Sequence, residues 1–133
     1  MKKQNKIVAW LQSCPYPEFV TPETAELAQK KGFLVSTATL HSLKSLYEID
    51  GYMPDLDKEG LFEVTQVNIQ KWLREKHDMH ISIQRIATTE GWYYCGEYGV
   101  TDHNIGTGVY STYEKTLEVA LYEALKLLKK SKN

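Results

Sequence analysis

Three side chains that could form a nucleophilic active site lie close together in the sequence: Cys95, Asp102 and His103. A thiol becomes an effective nucleophile when an imidazole accepts its proton and a carboxylate orients that imidazole. Cys95, however, falls among bulky tyrosines in a stretch that is typical of a strand, and this placement predicts a buried, unreactive thiol. No catalytic residue is therefore predicted. A small enzyme that uses Cys95 with a nearby histidine, either His80 or His103, stays open as an alternative.

The same cysteine and the histidines around it could also be considered as metal ligands, but their spacing does not support a metal site. His77 and His80 lie on either side of a boundary between a predicted helix and a predicted strand, and no paired-cysteine motif accompanies them. The simpler interpretation makes His77 the last residue of a helix and His103 a loop residue. We expect neither a metal ion nor another cofactor.

An acidic loop is the remaining candidate for a cation site. Asp55, Asp57 and Glu59 alternate ahead of Gly60. A calcium loop would need further ligands and a bidentate glutamate at a greater distance than Glu63. The sequence therefore predicts a solvated loop.

The densest group of aromatic side chains lies on the second predicted strand: Trp92, Tyr93, Tyr94 and Tyr98. One interpretation is a platform on which nucleic-acid bases stack, or a surface that contacts a protein. The other is an ordinary strand that is half core and half surface, because alternation buries either Trp92 with Tyr94 or Tyr93 with Cys95. In both cases an aromatic edge stays exposed to solvent, so we predict that these four aromatic residues form a contact patch.

The composition is that of an ordinary globular domain. Of 133 residues, 42% are hydrophobic and 25% are charged, which is enough apolar surface for one core and argues against disorder. The net charge of −1 provides no general attraction for nucleic acid or anionic lipid. Two distant cysteines do not make a disulfide framework, and no apolar run approaches the roughly 20 residues of a membrane span. We therefore expect a cytoplasmic protein without a membrane partner.

The domain is predicted to begin near residue 21. The segment Cys14-Pro15-Tyr16-Pro17 cannot form regular structure, because each proline removes an amide donor and biases the residue before it toward extended geometry. Residues 1–20 are therefore interpreted as an extended N-terminal segment, and residues 21–133 as a single α+β domain.

Helix-start and helix-end signals define the first elements of this domain. Thr21-Pro22 opens a helix that Gly32 closes, and Thr65 caps a second helix over about 66–77. The segment between them is ambiguous, because Leu40–Met53 fits both a helix and a hairpin.

The clearest element is a helix from about Thr112 to Lys130. Ser111 and Glu114 have the spacing of a capping box at its start, and Glu114 and Glu118 lie near the positive end of its dipole. Apolar side chains recur at intervals of three and four residues and form one stripe that should cover a sheet: Tyr113, Leu117, Ala120, Leu121, Ala124, Leu125 and Leu128.

Three strands are predicted between the last two helices. They lie around His80–Gln84, Trp92–Tyr98 and Gly106–Tyr110. Residues 65–130 therefore have the order helix, strand, strand, strand, helix. The economical fold is of the α+β class, an antiparallel sheet of three or more strands with two or three helices packed on one face.

Several segments also form a recognisable pattern. They are a short helix that ends in Gly-Phe (Thr24–Phe33), a Lys-Trp-Leu-Arg-Glu helix (Gln70–His77) that runs into a strand (His80–Ile83), and the terminal helix (Tyr113–Leu125). Together they resemble a group of small uncharacterised proteins that are carried by bacteriophages and prophages of gut bacteria. The resemblance implies an origin in a phage or mobile element and supplies no activity. It also implies that Leu40–Met53 is extended rather than helical.

The order of the elements is also similar to that of a double-stranded RNA-binding domain. Such domains hold phosphates with lysines at the start of the last helix. The corresponding segment here is Ser111–Lys115, in which one lysine lies between two glutamates, Glu114 and Glu118. Binding that depends on neutralising phosphates needs more positive charge than this, so nucleic-acid binding is the less favoured alternative.

Since no catalytic or metal-binding group is assigned, the sequence favours a non-enzymatic accessory protein that works by contacting another macromolecule. The aromatic strand is one surface that could make this contact. An exposed sheet edge, to which a partner can add a strand, is the other. We expect the partner to be a protein or a second copy of the chain, rather than nucleic acid or a membrane.

Overall fold

The computed structural model describes residues 19–56, 58–86, 91–98 and 103–129, and within these it describes only the backbone of Tyr98 and of residues 103–108. The described residues form four α-helices and one three-stranded antiparallel sheet, so the predicted α+β class is confirmed. In chain order the elements are α1 (Pro22–Lys30), α2 (Thr37–Glu48), a 3-10 helix (Leu61–Val64), α3 (Gln66–His77), β1 (Met79–Arg85), β2 (Trp92–Tyr98), β3 (His103–Tyr110) and α4 (Tyr113–Leu127).

The helices α1 and α3 begin and end where the sequence predicts. The Thr21 hydroxyl accepts the N–H of Thr24 at the start of α1, at 3.2 Å. The Thr65 hydroxyl accepts the N–H of Asn68 at the start of α3, at 3.3 Å. Gly32 follows α1 with a φ of 108°, a conformation that glycine adopts without steric cost.

Residues 37–48 are helical, so the extended conformation that the resemblance implied for Leu40–Met53 is wrong for residues 40–48. The Ser36 hydroxyl starts α2 by accepting the N–H of Thr39 at 3.0 Å. Leu43 and Leu46 are buried one helical turn apart. The cap lies upstream of the ambiguous segment, which is why the segment alone could not be assigned.

Two expectations are wrong near the junction of β3 and α4. His103 is the first residue of β3 rather than a loop residue. The residue that caps α4 is Thr112, whose hydroxyl accepts the N–H of Lys115 at 3.1 Å. The capping box expected from Ser111 and Glu114 therefore does not form, because the helix begins one residue later than that spacing requires.

The core reaches back to the first described residues. Phe19 and Val20 are both buried, and the N–H of Val20 donates to the carbonyl of Val64 at 3.0 Å. The Tyr47 hydroxyl lies 3.2 Å from the carbonyl oxygens of Phe19 and Val20. The rest of the predicted N-terminal segment, residues 1–18, lies outside the described residues.

The helix α4 lies across one face of the sheet. Val119 and Ala120 pack there with Tyr94 of β2, and Ile81 and Ile83 of β1 contact the same cluster. Helices α1 and α3 also pack against α4. The single apolar stripe expected for this helix is therefore too narrow, because nine of its residues are buried: Thr116, Leu117, Glu118, Val119, Ala120, Leu121, Tyr122, Ala124 and Leu125.

The carboxyl group of Glu118 is fully buried where α1, α3 and α4 meet. Its Oε2 accepts the N–H and the hydroxyl of Thr21, both at 3.1 Å, and its Oε1 accepts the amide of Gln66 at 3.2 Å. In a capping box, a glutamate of the same helix satisfies the N–H of the cap residue. Here Glu118 satisfies the N–H of Thr21 from a different helix. Burial raises the pKa of Glu118, and hydrogen bonds from Thr24, Thr21 and Gln66 offset part of this rise.

We expect Gly60→Ala to destabilise the protein by about 2 kcal/mol, because it combines left-handed backbone with a steric clash. Gly60 has a φ of 69°, and a Cβ there would lie 2.8 Å from the Thr39 hydroxyl, which itself donates to the carbonyl of Glu59. Gly51→Ala is the matched control, since its φ is 76° but nothing lies within 4 Å of the added carbon. Urea unfolding measures both variants, and equal losses would show that the contact with Thr39 carries no cost.

Candidate functional site

The face of the sheet that points away from α4 is the candidate site. The strand register places His80 opposite Glu97, Ser82 opposite Cys95, and Gln84 opposite Tyr93. Alternate side chains of a strand share a face, so these residues lie on the side that α4 does not cover. We call this surface the open face, and its described residues are His80, Ser82, Gln84, Tyr93, Cys95, Glu97 and Val109.

Strand alternation divides the predicted aromatic patch between the two faces. Tyr94 points toward α4 and is only 3% exposed. Burial raises the pKa of Tyr94 to about 12, and the negative charge of Glu123 adds to this effect. Trp92 is half-buried on the same side and packs edge-to-face against Tyr113, with the ring centroids 5.6 Å apart. These two rings therefore pack against other parts of the domain and not on the open face.

Tyr93 is the aromatic residue of the predicted patch that the structure places on the open face. Its hydroxyl donates to Oε1 of Gln84, on the neighbouring strand. Val109 lies opposite Tyr93 on β3, and 61% of it is exposed. The side chain of Tyr98 lies outside the described residues. Among its described side chains, the open face therefore has one aromatic ring beside one exposed aliphatic residue.

The charge on the open face is small. Glu97 is the one acidic residue among the described residues of this face, and none of them is a lysine or an arginine. The His80 ring lies at one end, with its Nε2 atom 2.6 Å from Oδ1 of Asp78. A surface of this kind attracts neither phosphates nor other strong anions.

The thiol of Cys95 is exposed on the open face, so the expectation of a buried thiol is wrong. Cys95 is next to the buried Tyr94 on β2, and successive side chains of a strand lie on opposite faces, so Cys95 lies on the face that α4 does not cover. The β3 residue opposite Cys95 is Thr107. His103 lies farther along β3, and at about 3.3 Å per residue its backbone is roughly 10–13 Å from that of Thr107. The structure therefore does not bring Cys95 and His103 together. Asp102 lies outside the described residues.

The described histidines do not form a metal site. His77 ends α3, as predicted, with its ring centroid 4.6 Å from that of Trp72, and burial lowers its pKa. Within the described ranges, no group of three histidine, cysteine, aspartate or glutamate side chains converges to hold a metal ion. The described helices also include none that is long and apolar enough to cross a membrane.

A polar groove of about 430 Å³ at the start of α2 was not predicted from the sequence. Its walls come from separate segments: Ser36, Ala38, Thr39, Ser42, Lys58, Glu59, Gly60 and Glu63. One of its two carboxylates, Glu59, is already hydrogen-bonded within the chain. The Tyr52 hydroxyl donates to Glu59 and lowers the pKa of that carboxyl, and the N–H of Asp55 donates to its other oxygen at 2.7 Å. The groove therefore ranks behind the open face as a binding site. Asp57, from the predicted acidic loop, lies outside the described residues.

No protein-family model, no curated protein and no solved structure matches this chain.

Proposed function

We propose that the chain is a non-enzymatic accessory protein that binds another protein through the open face of its sheet. The observation that carries this proposal is the exposure of Cys95 and Val109 beside the half-buried Tyr93, on a sheet whose other face is covered by α4. The solvated face of an antiparallel sheet is normally lined by polar side chains. An exposed aliphatic residue in register with a tyrosine departs from that pattern and supports a contact surface.

The composition of the open face supports a protein partner in preference to nucleic acid. Tyrosine is enriched at the energetically important positions of protein interfaces, and strong charges are depleted at their centres. Nucleic-acid binding depends on neutralising phosphates, which needs several lysines or arginines. The lysine in the position of the RNA-binding cluster, Lys115, contacts the hydroxyl of Ser111 at 3.3 Å and has half-buried Glu114 beside it. This is too little positive charge for that mode of binding.

The cellular setting of the proposal is the host cytoplasm of a phage or mobile element. The resemblance of the Lys-Trp-Leu-Arg-Glu helix and the terminal helix to phage and prophage proteins supports this origin. A reducing compartment is consistent with an exposed free thiol at Cys95.

We expect Tyr93→Ser combined with Val109→Ser to lower recovery of the bound protein at least about tenfold, which is the effect of losing roughly 1.4 kcal/mol of binding free energy. The measurement is quantitative mass spectrometry of proteins that co-purify with the tagged chain. The matched control is Leu34→Ser combined with Met53→Ser, which removes two exposed apolar side chains, 91% and 83% exposed, away from the sheet. Both double variants should melt within a few degrees of the wild type.

The proposal requires a protein that the wild type and the control retain and the open-face variant loses. Equal recovery with both double variants would contradict it. Loss of the co-purifying material after nuclease treatment, with a steep dependence on salt, would instead indicate nucleic-acid binding.

A further inference from the structure

We propose that the end of the helical layer at which α1, α3 and α4 terminate binds an acidic segment of another protein. This surface is separate from the open face of the sheet, so the inference goes beyond the proposed function. We call it the basic end, and define it by the lysines and arginine in the last turn of each helix and in the two residues that follow: Lys30, Lys31, Arg74, Lys76, Lys126 and Lys129. Five of these side chains are exposed, and Lys31 is half-buried.

The helices α1 and α4 run in the same direction. At the start of α1, the N–H of Thr21 donates to Oε2 of Glu118 at 3.1 Å. At its other end, the ammonium of Lys31 donates to the carbonyl of Leu128. Both contacts join residues that are 97 positions apart, and this constant offset means that the two helices are parallel. Their last turns therefore lie side by side.

The helix α3 runs in this direction as well. Its first residue, Gln66, donates to Oε1 of Glu118 at 3.2 Å, close to the start of α1. Farther along α3, the ring of Trp72 packs edge-to-face against that of Phe33, with the centroids 5.3 Å apart. Phe33 lies just beyond the end of α1. All three helices therefore terminate at the same end of the molecule.

Positive charge is in excess in these segments, although the net charge of the whole chain is −1. The carboxylates in the same segments are Glu75 and Asp78. Glu26 and Glu123 each lie one residue before a segment, and Glu123 pairs with Lys126 at 3.1 Å. A cation near the C-terminus of a helix interacts favourably with the helix dipole, and one cation for each helix would serve that purpose. The surplus of cations attracts an acidic partner.

The chemistry of the basic end fits a polypeptide better than it fits phosphate groups. Phosphates bind at helix N-termini, where N–H groups point outward, whereas carbonyl groups point outward at a helix C-terminus. An acidic protein segment offers carboxylates to the lysines and N–H donors to such carbonyls, while a phosphodiester offers acceptors alone. Leu127 is 47% exposed beside Lys126, and it gives the segment an apolar contact.

The test is fluorescence anisotropy of the full chain with a labelled peptide of about 12 residues, rich in glutamate and with a few leucines. We expect a dissociation constant on the order of 100 μM at low ionic strength, and weaker binding as salt is added. Lys30→Glu combined with Lys129→Glu should raise this constant about tenfold or more, because it reverses two charges at neighbouring helix ends. The matched control is Arg85→Glu combined with Lys115→Glu, which changes the net charge equally at the opposite end, where β1 ends and α4 begins. The control should bind the peptide as the wild type does.

Failure of the wild type to bind the peptide at concentrations up to about 1 mM would overturn the proposal, and so would an equal loss with the two double variants. Equal binding of a peptide with lysine in place of glutamate would show that charge does not select the partner, with the same consequence. Equally tight binding of single-stranded DNA of similar length, or of phosphatidylserine vesicles, would replace the acidic segment with a phosphate ligand. Tyr93→Ser combined with Val109→Ser should leave peptide binding unchanged, so this proposal and the one for the open face can each fail alone.

Discussion

Glu118→Ala is expected to lower the free energy of unfolding by about 3–5 kcal/mol, because it leaves a buried cavity and leaves buried hydrogen-bond donors without an acceptor. The substitution leaves the N–H of Thr21 and one amide hydrogen of Gln66 buried without an acceptor. Each such orphaned group costs roughly 1–3 kcal/mol. Gln66 cannot simply turn away, because its Nε2 also donates to the carbonyl of Glu114 at 2.9 Å. Urea unfolding at neutral pH measures the loss.

Glu123→Ala is the matched control on the same helix. Glu123 is half-buried and pairs with Lys126 at 3.1 Å, a surface ion pair whose loss should change stability by no more than about 0.5 kcal/mol. If the two variants unfold at the same urea concentration, the Glu118 network does not hold the three helices together.

The pH dependence of stability provides an independent measurement of Glu118. Because burial raises its pKa in the folded state, the folded protein holds this proton more tightly than the unfolded chain does. Stability from this group is therefore fully present below its ordinary pKa, and is lost as pH rises through the raised value. Glu118→Gln has no such proton, so the advantage of the wild type over this variant should shrink as pH rises from about 4. The other carboxyls titrate in both proteins and cancel in the difference. An advantage that grows with pH would mean that the pKa is lowered.

The sequence predicts the local structure well where the signal and its effect lie within one element. Thr21, Thr65 and Gly32 act through backbone groups of their own helices, and the structure confirms all three. The helix α2 was not recognised because its cap, Ser36, precedes the ambiguous segment. Glu118 could not be recognised at all, because its hydrogen-bond donors are separated from it by 97 and 52 residues. One signal was nevertheless available. Ten consecutive residues of α4, 116–125, contain only two charged side chains, which is typical of a helix that is buried on all sides.

The candidate site was predicted in part. Alternation correctly divides the aromatic strand into two faces. It cannot say which face packs against a helix, because that depends on the side of the sheet on which α4 lies. The structure answers this by burying Tyr94 and exposing Cys95. Val109 was not named as a contact residue, because its neighbour Tyr93 is distant in sequence and adjacent only through the register of β2 and β3. Whether the face binds a partner stays a prediction.

Val119→Asp is expected to destabilise the protein by more than about 3 kcal/mol, because it buries a carboxylate with no partner. Val119 lies outside the apolar stripe read from the sequence, so a helix buried along that stripe alone would tolerate the change. In the structure it is fully buried and packs with Tyr94 and Ala120 beneath the sheet. Aspartate is too short to carry its charge past these neighbours to solvent. Chemical unfolding and near-ultraviolet circular dichroism measure the loss of stability and of tertiary packing.

Leu127→Asp places the same side chain on the same helix at a position that is 47% exposed, and it should change stability by no more than about 0.5 kcal/mol. Val119→Ala separates the effect of charge from that of volume, since it removes two methyl groups without adding a polar atom and should cost about 1–2 kcal/mol. If Val119→Asp proves as stable as Leu127→Asp, the sheet does not cover α4. Both faces of the sheet would then be solvated, and the open face would not be distinguished as the binding surface.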